Sequence, residues 1–229
     1  MRRFPFAISI AVVALVGWAC SEEAGRPSGT SPPGARSAPR PNILLVLIDT
    51  LRADRLGVYG NERGLTPFLD EIAKSGTVFS HAYAPSSWTC PSIASLFTSR
   101  YPSQHGATTP DARLVASEVT LAESLSASGY ATAGFVANLR LDERLGFGQG
   151  FDHWRVFKQL PLVRGKVVQT YSMEWLNPQQ TASPDQPIFL YLHLTEPHSP
   201  YGVSGRQESV SPNDPTMTTS PLIVTAPAK

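Results

Sequence analysis

Three apolar runs constrain what this chain can fold into. Ile43-Leu44-Leu45-Val46-Leu47-Ile48 has no polar interruption, and Tyr130–Val136 and Ile188–Leu194 are nearly as continuous. A strand with one face in water alternates polar and apolar residues. A run without that alternation is buried on both faces, as in a parallel sheet covered by helices. Helical patterns lie between the runs. Thr66-Pro67 opens a helix with Phe68, Leu69 and Ile72 on one side and a stop at Ser75-Gly76; Val119 to Ser128 is amphipathic and closed by Gly129; Val167 to Leu176 is a third. A further strand is expected at about Thr77 to Ala82. The run Gly-Phe-Gly-Gln-Gly-Phe-Asp-His-Trp from Gly146 to Trp154 reads as a loop with aromatic plugs. Strands alternating with helices predict an α/β fold with a parallel sheet.

The ends of the chain read differently. In residues 1–20, Arg2-Arg3 precede an apolar run from Phe4 to Ala19 that is too short for a comfortable transmembrane helix, so the segment reads as an export signal. Cys20 follows Gly17-Trp18-Ala19 in a pattern resembling a bacterial lipoprotein processing site, where the cysteine is lipidated; an ordinary secretory signal or an uncleaved anchor are the alternatives. The lipoprotein reading predicts an exported protein of the cell envelope, tied to a membrane by its lipid. Residues 21–40, rich in Ser, Pro, Gly and Arg, read as a flexible linker. With Cys20 lipidated, Cys90 is the only thiol left and no intrachain disulfide can form. A net charge of +1 without a basic cluster beyond the N-terminus gives no support for a nucleic-acid partner.

The stretch Ser87-Trp88-Thr89-Cys90-Pro91-Ser92 has the grammar of a helix start, a side-chain cap followed by Pro near the first helical position. Ile93, Leu96 and Phe97 continue with the spacing of a buried helical face. Unpaired N–H groups and the positive dipole end make such a terminus suited to an anion. Two readings of Thr89 follow: a structural cap, or a nucleophilic hydroxyl held beside a bound sulfate or phosphate.

Three blocks occur in a telling order: Pro41 to Asp54 with Asp49 at the strand end, Ser87 to Ser92, and Phe189 to Tyr201 with Glu196-Pro197-His198-Ser199-Pro200-Tyr201. Together they resemble the N-terminal part of sulfatase-like enzymes of the alkaline phosphatase superfamily, in the branch with Ser-Trp-Thr-x-Pro-Ser at the nucleophile turn. The resemblance spans residues 41–201. It implies an alkaline-phosphatase-like, largely parallel sheet flanked by helices, and hydrolysis or transfer on a small sulfate, phosphate or phosphonate ester. It further implies Asp49 and Thr89 as ligands of a divalent metal (Ca, Mg, Mn or Zn), Thr89 as nucleophile, and His198 as a contact to the anion or leaving group.

The departures matter as much. Many sulfatases have two consecutive Asp residues where this chain has Asp49-Thr50. Sulfatases proper oxidise a Cys or Ser to formylglycine within a Cys-x-Pro-x-Arg pattern. Here Pro91 directly follows Cys90 and Ile93 stands where Arg would be, and Thr89 cannot be converted. An unmodified Thr implies phosphoryl or phosphodiester chemistry at least as much as sulfate-ester hydrolysis. The Gly-Lys-Trp-His segment that binds sulfate in many relatives is replaced by Val136-Ala137-Asn138-Leu139. His193, inside an apolar strand, reads almost equally as a hydrogen-bonded core histidine, while His105 and His153 read as structural. Beyond Tyr201 the resemblance stops, and residues 202–229 read as a disordered or aberrant tail. The expected fold is therefore incomplete at the C-terminus. A catalytically inactive fragment or pseudoenzyme is the second functional reading, and a purely structural lipoprotein the third.

Overall fold

The computed structural model describes residues 40–158 and 163–198, so the Cys20 region, the linker up to residue 39 and the tail lie outside the described residues. Four parallel strands form one sheet: β1 (Ile43–Ile48), β2 (Ala131–Val136), β3 (His153–Val156) and β4 (Ile188–Leu194), in the order β1-β4-β2-β3. The helices are α1 (Pro67–Ala73), α2 (Thr89–Thr98), α3 (Pro102–His105), α4 (Leu121–Ala127) and α5 (Gly165–Ala182). The α/β class with a parallel sheet flanked by helices is thus as expected.

The two sheet faces bury different residue sets, which explains the missing alternation. One face takes Leu45, Val136, Phe189 and Tyr191 into a cluster with Cys90, Ile93, Ala94 and Phe97 of α2 and Ala122 of α4. The other takes Val46, Ala133, Phe135, Ile188, Leu190 and Leu194, closed by Val168 of α5, with Tyr171 and Trp175 packed against it. Each strand therefore needs apolar side chains at odd and even positions alike. The helix α4 starts at a capping box. The Glu123 amide donates to Thr120 Oγ1 at 3.1 Å, and the Thr120 amide donates to Glu123 Oε2 at 2.7 Å. Gly129, at φ +85°, supplies the left-handed turn that lets the chain re-enter the sheet as β2.

Three local expectations change. The segment from Thr77 to Ala82 forms no strand; it pairs with nothing in the sheet, and Val78 and Phe79 are exposed. Its β-branched and aromatic content satisfies strand propensity, but propensity without a partner strand does not make a sheet. Conversely, His153–Val156 inside and beyond the expected loop is the edge strand β3, in register with Ala133–Val136. The third helix is longer than its apolar pattern, running from Gly165 to Ala182 and through Pro178.

Candidate active site

Register and the two-residue period of strands bring the site together. Ile48 pairs with Leu194, and Val136 pairs with His193. Asp49 continues the face of Leu45 and Leu47, His193 that of Phe189 and Tyr191, and Asn138 that of Val136. All three sit at the C-terminal ends of parallel strands, on the face that α2 covers. The Asp49 amide donates to the Leu194 carbonyl at 2.8 Å and the Ala137 amide to the His193 carbonyl at 3.0 Å, so the ladders persist to the site.

At its centre, one carboxylate oxygen gathers three donors. Asp49 Oδ2 accepts from Thr89 Oγ1 at 3.0 Å and from Asn138 Nδ2 at 3.2 Å, and lies 3.3 Å from His193 Nε2. Asp49 Oδ1 accepts none of them. Burial works against the charge of Asp49, but the His193 contact and the bonds from Thr89 and Asn138 outweigh it. They hold its carboxyl below the usual carboxylate range. Asn138 is oriented by its other end: Oδ1 accepts from the Arg140 amide at 3.0 Å, capping a short 3-10 turn, and that turns the NH2 group toward Asp49.

Thr89 is the first residue of α2, one position inside the expected cap. Trp88 is the cap residue, and no side chain caps the helix. The Thr89 hydroxyl therefore does not act as a structural cap; it reaches across to Asp49. In the first turn the amides of Thr89 and Cys90 have no carbonyl one turn back within the helix, and Pro91 carries no N–H. The next residue, Cys90, points the other way. It is fully buried in the α2 core, with Sγ donating to the Arg140 carbonyl at 3.2 Å, and burial pushes its thiol up. Directly after Asp49, Thr50 has φ +58°, an uncommon conformation for a β-branched residue.

Of the residues singled out in the sequence, the fold brings Asp49 and Thr89 into contact across 40 residues of sequence. Other residues of the site were not singled out or were read otherwise. Asn138, part of a segment read as a loss, is at the centre of the site. His193, read evenly as core or functional, has its ring on Asp49. Its ring nitrogen Nδ1 lies 2.8 Å from the Tyr191 hydroxyl, which the sequence did not single out. His198 is exposed in the turn after β4, its amide donating to the Thr195 carbonyl at 2.9 Å. His105 is structural as expected: buried, with Nδ1 accepting from the Ala107 amide at 3.1 Å and Nε2 paired with Ser95 Oγ at 2.9 Å.

The Asp49 carboxylate and Thr89 hydroxyl are hard oxygen donors that suit a divalent cation. Such ions take about six to eight oxygen ligands for calcium and six for magnesium, so these residues fit as part of a ligand set. Among the described residues no group of three or more His, Cys, Asp or Glu is arranged to hold a metal ion.

Comparison with known proteins gives the family and the fold. The family model for Sulfatase matches residues 41–220, and the chain belongs to the sulfatase family. Arylsulfatase A of Bos taurus is 43% identical over 105 residues, which is 43% of this chain and 21% of that protein. The ulvan-active sulfatase of Formosa agariphila is 29% identical over 187 residues, 71% of this chain and 36% of that protein. The chain thus spans about a fifth to a third of the length of these relatives. Among solved structures, a protein of the alkaline phosphatase superfamily from Vibrio parahaemolyticus matches with a TM-score of 0.60 and 24% identity, over 79% of this chain and 46% of that one. The phosphonate monoester hydrolase of Agrobacterium radiobacter matches with a TM-score of 0.60 and 20% identity, over 72% and 42%. The C-terminal periplasmic domain of EcEptC from Escherichia coli, solved in complex with Zn, matches with a TM-score of 0.51 and 20% identity, over 75% and 51%. At these identities the structures share the fold: an alkaline-phosphatase-like α/β sheet, of which this chain covers a part.

Proposed function

We propose that the chain carries the nucleophile half of a hydrolase or transferase acting on sulfate, phosphate or phosphonate esters, with Thr89 Oγ1 as the attacking atom. One observation carries the reading: the Thr89 hydroxyl, at the N-terminus of a helix, donates to a strand-end carboxylate that its surroundings keep ionised. A carboxylate held below its usual range is a weak base, so Asp49 orients the hydroxyl rather than removing its proton. A hard divalent cation held by Asp49 and Thr89 would lower the hydroxyl pKa and neutralise charge on the transferred group. Ca, Mg, Mn and Zn are the ions to supply in the assay.

The residues then divide the work. The start of α2 offers amides and a positive dipole end to the ester's oxygens. Thr89 Oγ1 gives its proton to solvent and forms the new bond to sulfur or phosphorus as the bond to the alcohol oxygen breaks, and the departing alcohol oxygen takes up a proton through His198. Water then attacks the Thr89 ester, releases the anion and restores the hydroxyl. Cys90 takes no part, because its sulfur lies in the core. The remaining expectations, lipidation of Cys20 and residence in the cell envelope, complete the proposal; a diacylglyceryl-modified Cys20 in the mass spectrum of the mature chain would support them, and an unmodified residue there would refute them.

The test is turnover of aryl sulfate, phosphate monoester, phosphodiester and phosphonate ester, with Ca, Mg, Mn or Zn added. The reading predicts metal-dependent turnover of at least one class, abolished by Thr89→Ala and partly kept by Thr89→Ser. Turnover that survives Thr89→Ala would refute it. Binding of sulfate or phosphate with no turnover under any condition would favour the inactive, anion-binding alternative.

A further inference from the structure

Tyr191 and His193 lie two residues apart on β4, so both side chains stand on the face covered by α2. Tyr191 is fully buried, its ring parallel to Trp154 at 6.1 Å and edge-on to Phe97 at 5.1 Å. Among the described residues its hydroxyl has one hydrogen-bond partner, His193 Nδ1, at 2.8 Å. A phenol can donate and accept, whereas a ring nitrogen of neutral histidine does one or the other according to tautomer. If His193 carried a proton on Nδ1, alone or with one on Nε2 as well, the ring would donate to the phenol, and the phenol proton would have no acceptor in the core. Buried donors are almost always paired, so the phenol donates and Nδ1 accepts. The ring proton then sits on Nε2, the nitrogen 3.3 Å from Asp49 Oδ2. Burial, with the Asp49 charge nearby, raises the Tyr191 phenol well above its ordinary value, which keeps it a donor.

We propose that Tyr191 is a positioning residue for the site: its buried hydroxyl selects the Nε2–H tautomer of His193, whose ring then donates to Asp49 Oδ2. With Thr89 and Asn138 on the same oxygen, Oδ2 is fully engaged and Oδ1 is the oxygen left to face a ligand. Nothing in local sequence specifies this, since Asp49 and His193 are 144 residues apart. The role assigned to Tyr191 rests on the reading of Asp49 and Thr89 as the reacting pair, but the tautomer can be measured without turnover.

The experiment is nitrogen NMR of the full chain labelled with 15N-histidine, with the His193 signals identified by their loss in His193→Gln. Expected are a pyridine-type, hydrogen-bonded Nδ1 and a pyrrole-type Nε2 in a single tautomer. Tyr191→Phe keeps the ring and its packing and removes only the donor, so His193 should move to tautomer-averaged shifts. Thr89→Ala should leave the His193 tautomer unchanged. A pyrrole-type Nδ1 in the parent chain, or an unchanged signature in Tyr191→Phe, would overturn the proposal. Should Tyr191→Phe not fold, the parent-chain assignment alone decides. A fixed Nε2–H tautomer in a chain that turns over no ester would sink the functional reading and leave the tautomer assignment standing.

Discussion

Gly134, in the middle of β2, should not accept even one methyl group. A Cβ built there would lie 2.3 Å from Cε3 and Cζ3 of Trp154. Carbon atoms in contact sit about 3.5–4.0 Å apart, so the indole would have to retreat by more than about 1 Å. It has little room to do so. The ring stacks on Tyr191 within 5° of parallel, lies 4.8 Å from Phe151 by centroid, and donates from Nε1 to the Leu141 carbonyl at 3.1 Å. Overpacking of this kind costs about 1–3 kcal/mol, and losing the Nε1 bond adds about 1 kcal/mol. Gly134→Ala should therefore lose roughly 2–4 kcal/mol, a large part of the roughly 5–15 kcal/mol a domain holds. The assay is urea unfolding followed by tryptophan fluorescence, completed as a double-mutant cycle with Trp154→Leu. In the Gly134→Ala background Trp154→Leu should cost at least about 1 kcal/mol less than in the parent. A Gly134→Ala change within about 0.5 kcal/mol of the parent, or an additive cycle, would refute the close approach.

Three further outcomes are expected. Thr50→Asn, which relieves a β-branched residue at φ +58°, should stabilise by about 0.5–1 kcal/mol and raise the melting temperature by a few degrees; an unchanged or lower value would contradict the strain. Because Asp49 is held below its ordinary range, its contribution to stability is present above that range and lost as pH falls through the folded value. Unfolding free energies across the acid range should therefore fall less steeply for Asp49→Asn than for the parent, and equal slopes would refute this. The Cys90 thiol, buried and pushed up, should react with a thiol reagent only on unfolding and should yield no aldehyde when a formylglycine-generating enzyme is co-expressed; an aldehyde at residue 90 would overturn the assignment of Thr89.

What could be read from the sequence follows from what is local. β1, β2 and β4 were legible because burial on both faces writes an unbroken apolar run. β3 was not: it is a short edge strand of His153, Trp154, Arg155 and Val156, only partly buried and with Arg155 exposed. The segment from Thr77 to Ala82 misled in the opposite sense, since Val78 and Phe79 carry strand propensity with no partner strand. Within the site, Asp49 and Thr89 stood out because each marks an element end that a short motif announces. Asn138 and Tyr191 did not. Their roles come from the order β1-β4-β2, which sets the end of β2 and the end of β4 beside Asp49, and no local pattern encodes that order. A possible signal for Asn138 was its place just after a buried strand, where α/β sheets gather ligands.

The most direct test of the central claim is mass spectrometry of the chain quenched during reaction with an aryl phosphate or aryl phosphonate ester in the presence of a divalent metal. Expected is a phosphoryl or phosphonyl adduct on Thr89, absent from Thr89→Ala and unaffected by Cys90→Ala. An adduct on Ser87, Cys90 or Ser92 instead, or turnover through a formylglycine at residue 90, would contradict it.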